Sequence, residues 1–485
     1  MRGAEKNSTH WILAHQAALP GAGDALRVTS ALLGVQGGRL IAVVPDVGPG
    51  SLGRHVGPHD TCEVLGERLL VTPAFVDAHT HLAMACFRAL PTDGVGAKNM
   101  VEDIFYRVEK LLEPADVRAF ARMGAWEAML NGVGMVWDHY YYGHAVVDAL
   151  SDVGLSGVVA PTLQDLGGPG AEMSSRHLEE TAAIAQDKRL GERGIFAAVG
   201  PHATDTVSER LWGEALALAG RHDLPVHLHV AQSIEEVQRS YARHGVSPIG
   251  LLERVGALAQ APSMLLVHNI FASNEDLARL DPARHTLVWC PQAQEIFDFP
   301  ADAWAWERAG LSWVVGTDAV ASNDSRNLQK ELRRVAGLRS AGHPSSPAHQ
   351  RFMAAGGLEA AQESEAVRRA LEEERGGEAM EERLLSRVWR RPGALHPAAR
   401  AGVLATGALA HVAVWELDHP SMWPGVRPLR TLAMGDTTGA LHNIMIAGRW
   451  RGEHGALAAS VTESEVYREA CEEARRRLDG LLSRM

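Results

Sequence analysis

LLVTPAFVDAHTHL, residues 69–82, is a β-branched and apolar run that ends on two histidines one residue apart. In a strand the side chains alternate between faces, so His79 and His81 share a side and Thr80 points away. Further runs of this character follow along the chain: Gly134–Tyr141, Leu155–Leu163, Ile195–Ala203, Pro225–Gln232, Met264–Ile270, His285–Gln292 and Leu311–Ala319. Segments of helical periodicity lie between them. In Ser233–Val255, apolar Ile234 and Val237 alternate with polar Glu235, Glu236 and Gln238 at helical spacing. Strand and helix repeated in this way predict an α/β fold, a (β/α)8 TIM-like barrel over residues 69–394. Continuous apolar strands such as Met264–Val267 fit burial on both faces.

The flanks read differently. Ser30–Val35, Arg39–Val44 and Thr61–Val64 are short strands between Gly and Pro turns, and so are Ala410–Leu417, His442–Ile446 and Gly448–Arg451. Neither set is long enough to enclose a core alone. Residues 1–68 and 395–485 are therefore expected to pair into one small composite β-sandwich domain, closed by an amphipathic helix over Val466–Leu482. The charged stretch 357–390, with Glu372–Glu374, Glu381 and Glu382, reads as a solvated helical face.

Composition narrows the function. The chain has 485 residues, 46% hydrophobic and 22% charged, with net charge −12. An acidic chain without clustered Lys and Arg is a poor partner for phosphate backbones, so no nucleic acid is expected. No stretch approaches the roughly 20 apolar residues of a membrane span, and Met1–Pro20 lacks the apolar core of a signal peptide. Cys62, Cys86, Cys290 and Cys471 are far apart and read as reduced thiols of a cytoplasmic protein. A homo-oligomer is left open.

The polar residues that matter fall at strand ends. In a parallel barrel these ends converge on one face, where catalytic groups gather. His79 and His81 end strand one, His202 strand four, His227 and His229 strand five, His268 strand six and Asp318 strand eight. Three imidazoles and a carboxylate suit zinc, or alternatively ferrous iron, at one ion per chain. Such an ion makes hydroxide available near neutral pH. His227 reads as a support behind the ligands. Cys86, Tyr140–Tyr142, Trp304 and Trp306 read as packing residues.

The motif Pro73-Ala74-Phe75-Val76-Asp77-Ala78-His79-Thr80-His81 resembles the opening metal motif of the amidohydrolase superfamily. Gly316-Thr317-Asp318 with Ser322-Asn323-Asp324 resembles its closing motif. Val267-His268-Asn269, Cys290-Pro291-Gln292 and Pro201-His202 match intervening strands. The likeness runs from about residue 60 to 340 and is nearest the branch of s-triazine hydrolases and of guanine and adenosine-type deaminases. It implies that His79, His81, His229 and Asp318 are the metal ligands. It also implies that His268 steadies the nucleophile or the developing charge, and that His202 touches a small nitrogen-heterocyclic substrate. Glu109 lies near where some deaminases bind a ribose.

Three departures stand out. Deaminases of the family carry glutamate three residues after the strand-five ligand, where this chain has Gln232. Trp289 replaces a frequent histidine before Cys-Pro, and Ala410-His411-Val412 replaces Ala-Asp-Leu, read as a surface change. An amide orients by hydrogen bonds but cannot accept and return a proton near neutral pH. Gln232 is thus assigned to holding substrate, Asp318 to taking the water proton and His268 to stabilising charge. Glu235 and Glu236, on the following helix, are expected to point away from the metal. The expected activity is attack of metal-activated hydroxide on an electrophilic carbon of a nitrogen heterocycle or amidine, by deamination, dehalogenation or related C–N hydrolysis. A cyclic amide or imide hydrolase, and a metal-binding pseudoenzyme that binds a ligand without turnover, stand as alternatives.

Overall fold

The computed structural model describes residues 8–90, 99–294, 299–338 and 379–485, with scattered residues between 350 and 369. The chain opens with β1 (His10–Pro20), β2 (Leu26–Gln36), β3 (Arg39–Pro45), β4 (Thr61–Val64) and β5 (Leu69–Pro73). It ends with β15 (Val412–Glu416), β16 (Leu441–Ile446) and β17 (Arg449–Trp450), followed by a helix over Glu465–Arg484. These strands form one eight-stranded sheet in the order β17-β16-β15-β5-β1-β2-β3, with β4 also on β1. Strands from the two chain ends are therefore hydrogen-bonded neighbours. Val412 lies opposite Pro73 and Trp415 opposite Leu70, and the Trp415 indole donates to Thr72 Oγ1 at 2.9 Å. Ile12, Leu33, Val71, Val412 and Met445 fill the apolar side of this sheet.

Residues 69–82 do not form one strand. Leu69–Pro73 belongs to the terminal sheet, and the parallel layer starts with β6 (Phe75–Thr80). Pro73 lacks an N–H and fixes its own φ, so the ladder is interrupted there. His411 also departs from expectation. It is buried and its Nδ1 accepts the Ala447 N–H at 3.0 Å, so it is no surface residue. The stretch 357–390 lies largely outside the described residues; within it Met380–Ser386 is helical.

Between the two ends run β7 (Val133–Tyr140), β8 (Ser156–Leu163), β9 (Ile195–Ala197), β10 (Gly200–Pro201), β11 (Val226–Val230), β12 (Met264–His268), β13 (His285–Trp289) and β14 (Ser312–Val315), with helices between successive strands except β9 and β10. They make two parallel sheets, β10-β8-β7-β6 with β9 on β8, and β11-β12-β13-β14. Single parallel bridges link the sheets at both edges, Thr80 to Asp318 and Val199 to Val226. One cluster of buried side chains draws on both sheets, with Val76, Met135, Trp137, Val158 and Ala160 against Leu265, Val267, Val288 and Val314. Gly316 allows the first and last of these strands to approach closely, because a Cβ there would lie 2.8 Å from the His79 backbone. No helix among the described residues is long and apolar enough to cross a membrane.

Candidate metal centre

Each candidate ligand is delivered by a strand end. His79 is on β6 and His81 directly follows it; His229 is on β11, His268 ends β12, and Asp318 lies just beyond β14. The turns there are tight. Ala231, His268, Asn269 and Asp318 all have positive φ, a region costly for residues with a Cβ and frequent at functional sites. The Asp318 N–H donates to the His79 carbonyl at 2.9 Å, fixing the last strand end against the first.

The ring nitrogens are aimed by their outer partners. His81 Nδ1 meets the His139 carbonyl at 2.5 Å, and His229 Nδ1 meets the His202 carbonyl at 3.0 Å. A carbonyl only accepts, so both Nδ1 atoms carry the proton and both Nε2 atoms present lone pairs. His79 Nδ1 faces His227 Nε2 at 2.9 Å, which places His227 behind this ligand. The inward atoms are close: His79 Nε2 to His229 Nε2 is 3.2 Å, His81 Nε2 to Asp318 Oδ1 is 3.2 Å, and His79 Nε2 to Asp318 Oδ1 is 3.5 Å. A tetrahedral ion with bonds of about 2.0–2.1 Å has donor–donor edges of about 3.3–3.4 Å. Facing lone pairs at this spacing fit a cation between them.

The electrostatics agree with that fit. Burial pushes His79 down to about 4 and His229 well below its ordinary value, so both stay neutral as metal ligands must. Burial acts the other way on Asp318, but the His79 and His81 imidazoles hold its carboxyl well below the usual range. Its Oδ2 faces His268 Nε2 at 3.8 Å. Cys290 lies within ligand reach of His268 and Asp318, yet burial pushes its thiol well up, away from the thiolate that binds metal.

A cavity opens beside these groups, lined by His81, Glu109, His202, Gln232, His268 and Asp318. Thus the structure brings every sequence-predicted site residue to one place. Tyr106, His139, Tyr140, Tyr141 and Thr162 also line it. Tyr140 and Tyr141 are packed in the core, as expected, and they also form cavity wall: Tyr140 ends β7 and Tyr141 directly follows it. The period-two series Met135, Trp137, His139 pointed there, since its last member falls at a strand end. His139 Nδ1 pairs with Thr162 Oγ1 at 3.1 Å, and its buried Nε2 has no protein partner.

Outer contacts hold the frame. Buried Arg326 donates to Thr80 Oγ1, to the His81 carbonyl at 2.7 Å and to the Leu82 carbonyl at 3.2 Å. Asp77 accepts from Thr317 N–H at 3.0 Å and Thr317 Oγ1 at 2.6 Å. Asn323 donates to the Thr317 carbonyl at 2.7 Å. Glu236 is buried and does not line the cavity; it accepts from the Gln232 N–H at 2.9 Å and from Thr204 Oγ1 at 2.5 Å. It thereby fixes the loop that carries Gln232.

The Amidohydrolase family model matches residues 70–353. A 5-methylthioadenosine/S-adenosylhomocysteine deaminase of Halobacterium salinarum is 30% identical over 270 residues, 56% of this chain and 62% of that protein. The chain thus spans about three fifths of that relative. A 5'-deoxyadenosine deaminase of Methanopyrus kandleri is 24% identical over 413 residues, 84% of this chain and 86% of that protein. Among solved structures, an adenosine deaminase from Xanthomonas campestris with bound zinc superposes with TM-score 0.76 at 20% identity, covering 98% of this chain and 99% of that one. An atrazine chlorohydrolase from Arthrobacter aurescens complexed with zinc gives 0.74 at 18% identity, covering 96% and 100%. With a family match over more than half its length, this chain belongs to the amidohydrolase family.

Proposed function

We propose that the protein is a metal-dependent hydrolase that replaces an amino or halide substituent on the electrophilic carbon of a nitrogen heterocycle with hydroxyl. The observation that carries this reading is the set of inward Nε2 and carboxylate atoms at tetrahedral-edge spacing beside a cavity lined by tyrosines and histidines. His79, His81, His229 and Asp318 hold the ion, zinc by preference and ferrous iron as the alternative. When bound, such an ion supplies Lewis acidity and makes a water nucleophilic near neutral pH. Asp318 Oδ1 faces the ligand imidazoles, so Oδ2 is the oxygen that takes a proton from the attacking water. His268 Nε2, beside Oδ2, donates to the oxygen where charge develops. Gln232, His202 and Glu109 orient the substrate from the cavity wall. The relatives above favour a purine nucleoside or s-triazine over a cyclic amide.

The same reading covers the architecture. The bridges at both sheet edges and the cluster shared by both sheets support one closed (β/α)8 barrel, with residues 1–68 and 395–485 as a composite β domain. Four free cysteines support a reducing, cytoplasmic setting. Metal analysis of purified protein tests the centre: about one transition-metal ion per chain is expected, and full occupancy in His79→Ala/His81→Ala would refute it. Ammonia release from adenosine and its 5'-modified analogues, and halide release from chlorotriazines, test the reaction. Ring opening of a cyclic amide without either product would replace this reading.

A further inference from the structure

We propose that an open cleft between the starts of the parallel strands and the terminal sheet binds a compact oxyanion of the phosphate type, held by Arg193, Arg449 and Arg451. The cleft lies at the opposite end of the strands from the metal ligands: Leu155, which directly precedes β8, and Ile195, which opens β9, are on its wall. The inference therefore does not depend on the hydrolase reading above. Three stretches of backbone meet there: the turn Gly37–Gly38 between β2 and β3, the stretch Glu192–Gly194 before β9, and the turn Ala447–Gly448 between β16 and β17. A Cβ on Gly38 would lie 3.3 Å from the Ala447 carbonyl oxygen and 3.6 Å from the Glu192 carbonyl oxygen, and one on Gly194 would lie 3.8 Å from the Ala447 Cβ. Arg193 and Arg449 leave from these adjoining stretches, Arg451 follows shortly after, and all three line the cleft.

The charges in the cleft do not balance. The Arg451 guanidinium packs directly on Gly154, at the C-terminus of the helix Gly143–Val153, where a Cβ would overlap its Nη1 and Cζ. Its Nη2 donates to the Ile446 carbonyl at 2.9 Å, while its Nε is buried without a hydrogen-bond partner. Among the described residues no carboxylate forms an ion pair with Arg193, Arg449 or Arg451, and Glu192 is the single carboxylate on the cleft wall. The helix end offers Arg451 only about half a unit of negative charge. Burial and repulsion from Arg449 push the Arg451 guanidinium down to about 10, so it is still a cation at neutral pH. Three cations against one carboxylate, one of them half-buried, thus stand unneutralised in a chain of net charge −12. A partly desolvated charge without a partner is costly, and an anion in the cleft removes that cost.

The lining selects the anion. A guanidinium presents its N–H groups as a planar fork that matches two oxygens of a phosphate or carboxylate. Guanidiniums from two separate segments suit a tetrahedral oxyanion, which offers a different edge to each, better than a planar carboxylate, which offers one. No Phe, Tyr or Trp is among the cleft residues, so no aromatic platform is present for a nucleobase to stack on. Phosphate or pyrophosphate is therefore favoured over a nucleotide. Such an anion joins Arg193, from the parallel layer, to Arg449 and Arg451, from the terminal sheet, so occupancy stabilises the fold by linkage.

The test uses the full-length, metal-loaded protein and two probes, inorganic phosphate and pyrophosphate, titrated at constant ionic strength with chloride as the balancing ion. Phosphorus NMR measures binding, and calorimetry measures Tm. A saturable site is expected, with pyrophosphate bound at least as tightly as phosphate and Tm rising with occupancy. The same site should persist in His79→Ala/His81→Ala, which removes the metal centre as a competing anion site. Arg193 and Arg449 are exposed, and Arg193→Gln and Arg449→Gln should each weaken binding by about tenfold or more, the loss that goes with a hydrogen bond to a charged group. Arg451→Gln should weaken it as much; circular dichroism checks that this variant is folded, and the two exposed positions carry the test if it is not. Binding that vanishes in His79→Ala/His81→Ala would place the anion on the metal and overturn the site. Unchanged affinity in Arg193→Gln and Arg449→Gln, or no saturable binding of either probe to wild type, would overturn it equally.

Discussion

Replacing His227 with leucine should weaken metal binding far more than it weakens the fold. His79 Nδ1 and His227 Nε2 are 2.9 Å apart, and both side chains are buried. To offer a lone pair at Nε2, His79 must keep its proton on Nδ1, where His227 is its acceptor. In His227→Leu that N–H has no acceptor, and a buried donor left unpaired costs about 1–3 kcal/mol. The metal-free protein escapes this cost. His79 can shift its proton to Nε2, toward Asp318 Oδ1 at 3.5 Å. The penalty therefore falls on the loaded state, and affinity should drop by about 5- to 150-fold, at about 1.4 kcal/mol per tenfold. Competition with a chromophoric chelator measures the affinity, and urea unfolding of the metal-free protein measures the fold. His227→Gln, whose carbonyl can accept the same hydrogen, should recover much of the loss. Wild-type affinity in His227→Leu, or an equal loss in His227→Gln, would refute the tautomer argument.

Three further predictions follow the same geometry. Gln232→Glu should raise kcat on amine-leaving substrates by supplying a group that can exchange a proton, and Gln232→Ala should lower it by about 5- to 100-fold through a lost hydrogen bond to bound substrate; wild-type rates in both would make Gln232 a bystander. His268→Asn should keep its metal while kcat falls by about 10²-fold, and loss of metal would reassign His268 as a ligand. Burial holds His396 down to about 4 and His411 to about 3, both below the ordinary value of about 6.5. The unfolded chain then binds more protons between those values, so stability rises with pH across that window and is lost on acidification. A urea midpoint at pH 5 equal to that at pH 7 would contradict this.

Strand ends were legible from the sequence because β-branched runs stop at polar residues, and His79, His81, His229, His268 and Asp318 each sit at such a stop. What escaped was of two kinds. Tyr140 and Tyr141 have the composition of core residues, and only their place at the tip of β7 makes them cavity walls. Glu236 and His411 have the composition of surface residues, yet each is buried by a partner distant in the fold or across a turn: Thr204 and Gln232 for one, Ala447 for the other. Arg326 was invisible for the same reason, since its acceptors lie more than 240 residues earlier. The break at Pro73 was written in the sequence, but the run of apolar residues on both sides concealed it.

The sheet that joins both chain ends has a consequence for synthesis. Thr72 meets Trp415 343 residues later, so β5 waits for β15 while most of the chain is made. At about 5–20 residues per second, that edge of the sheet stays unpaired for roughly 20–70 s. β6, with His79, follows β5 after a single residue. A nascent chain stalled or truncated between residues 319 and 411 therefore displays an open strand edge next to an unfinished metal centre. Such chains should aggregate or be degraded, even though every ligand has already been synthesised.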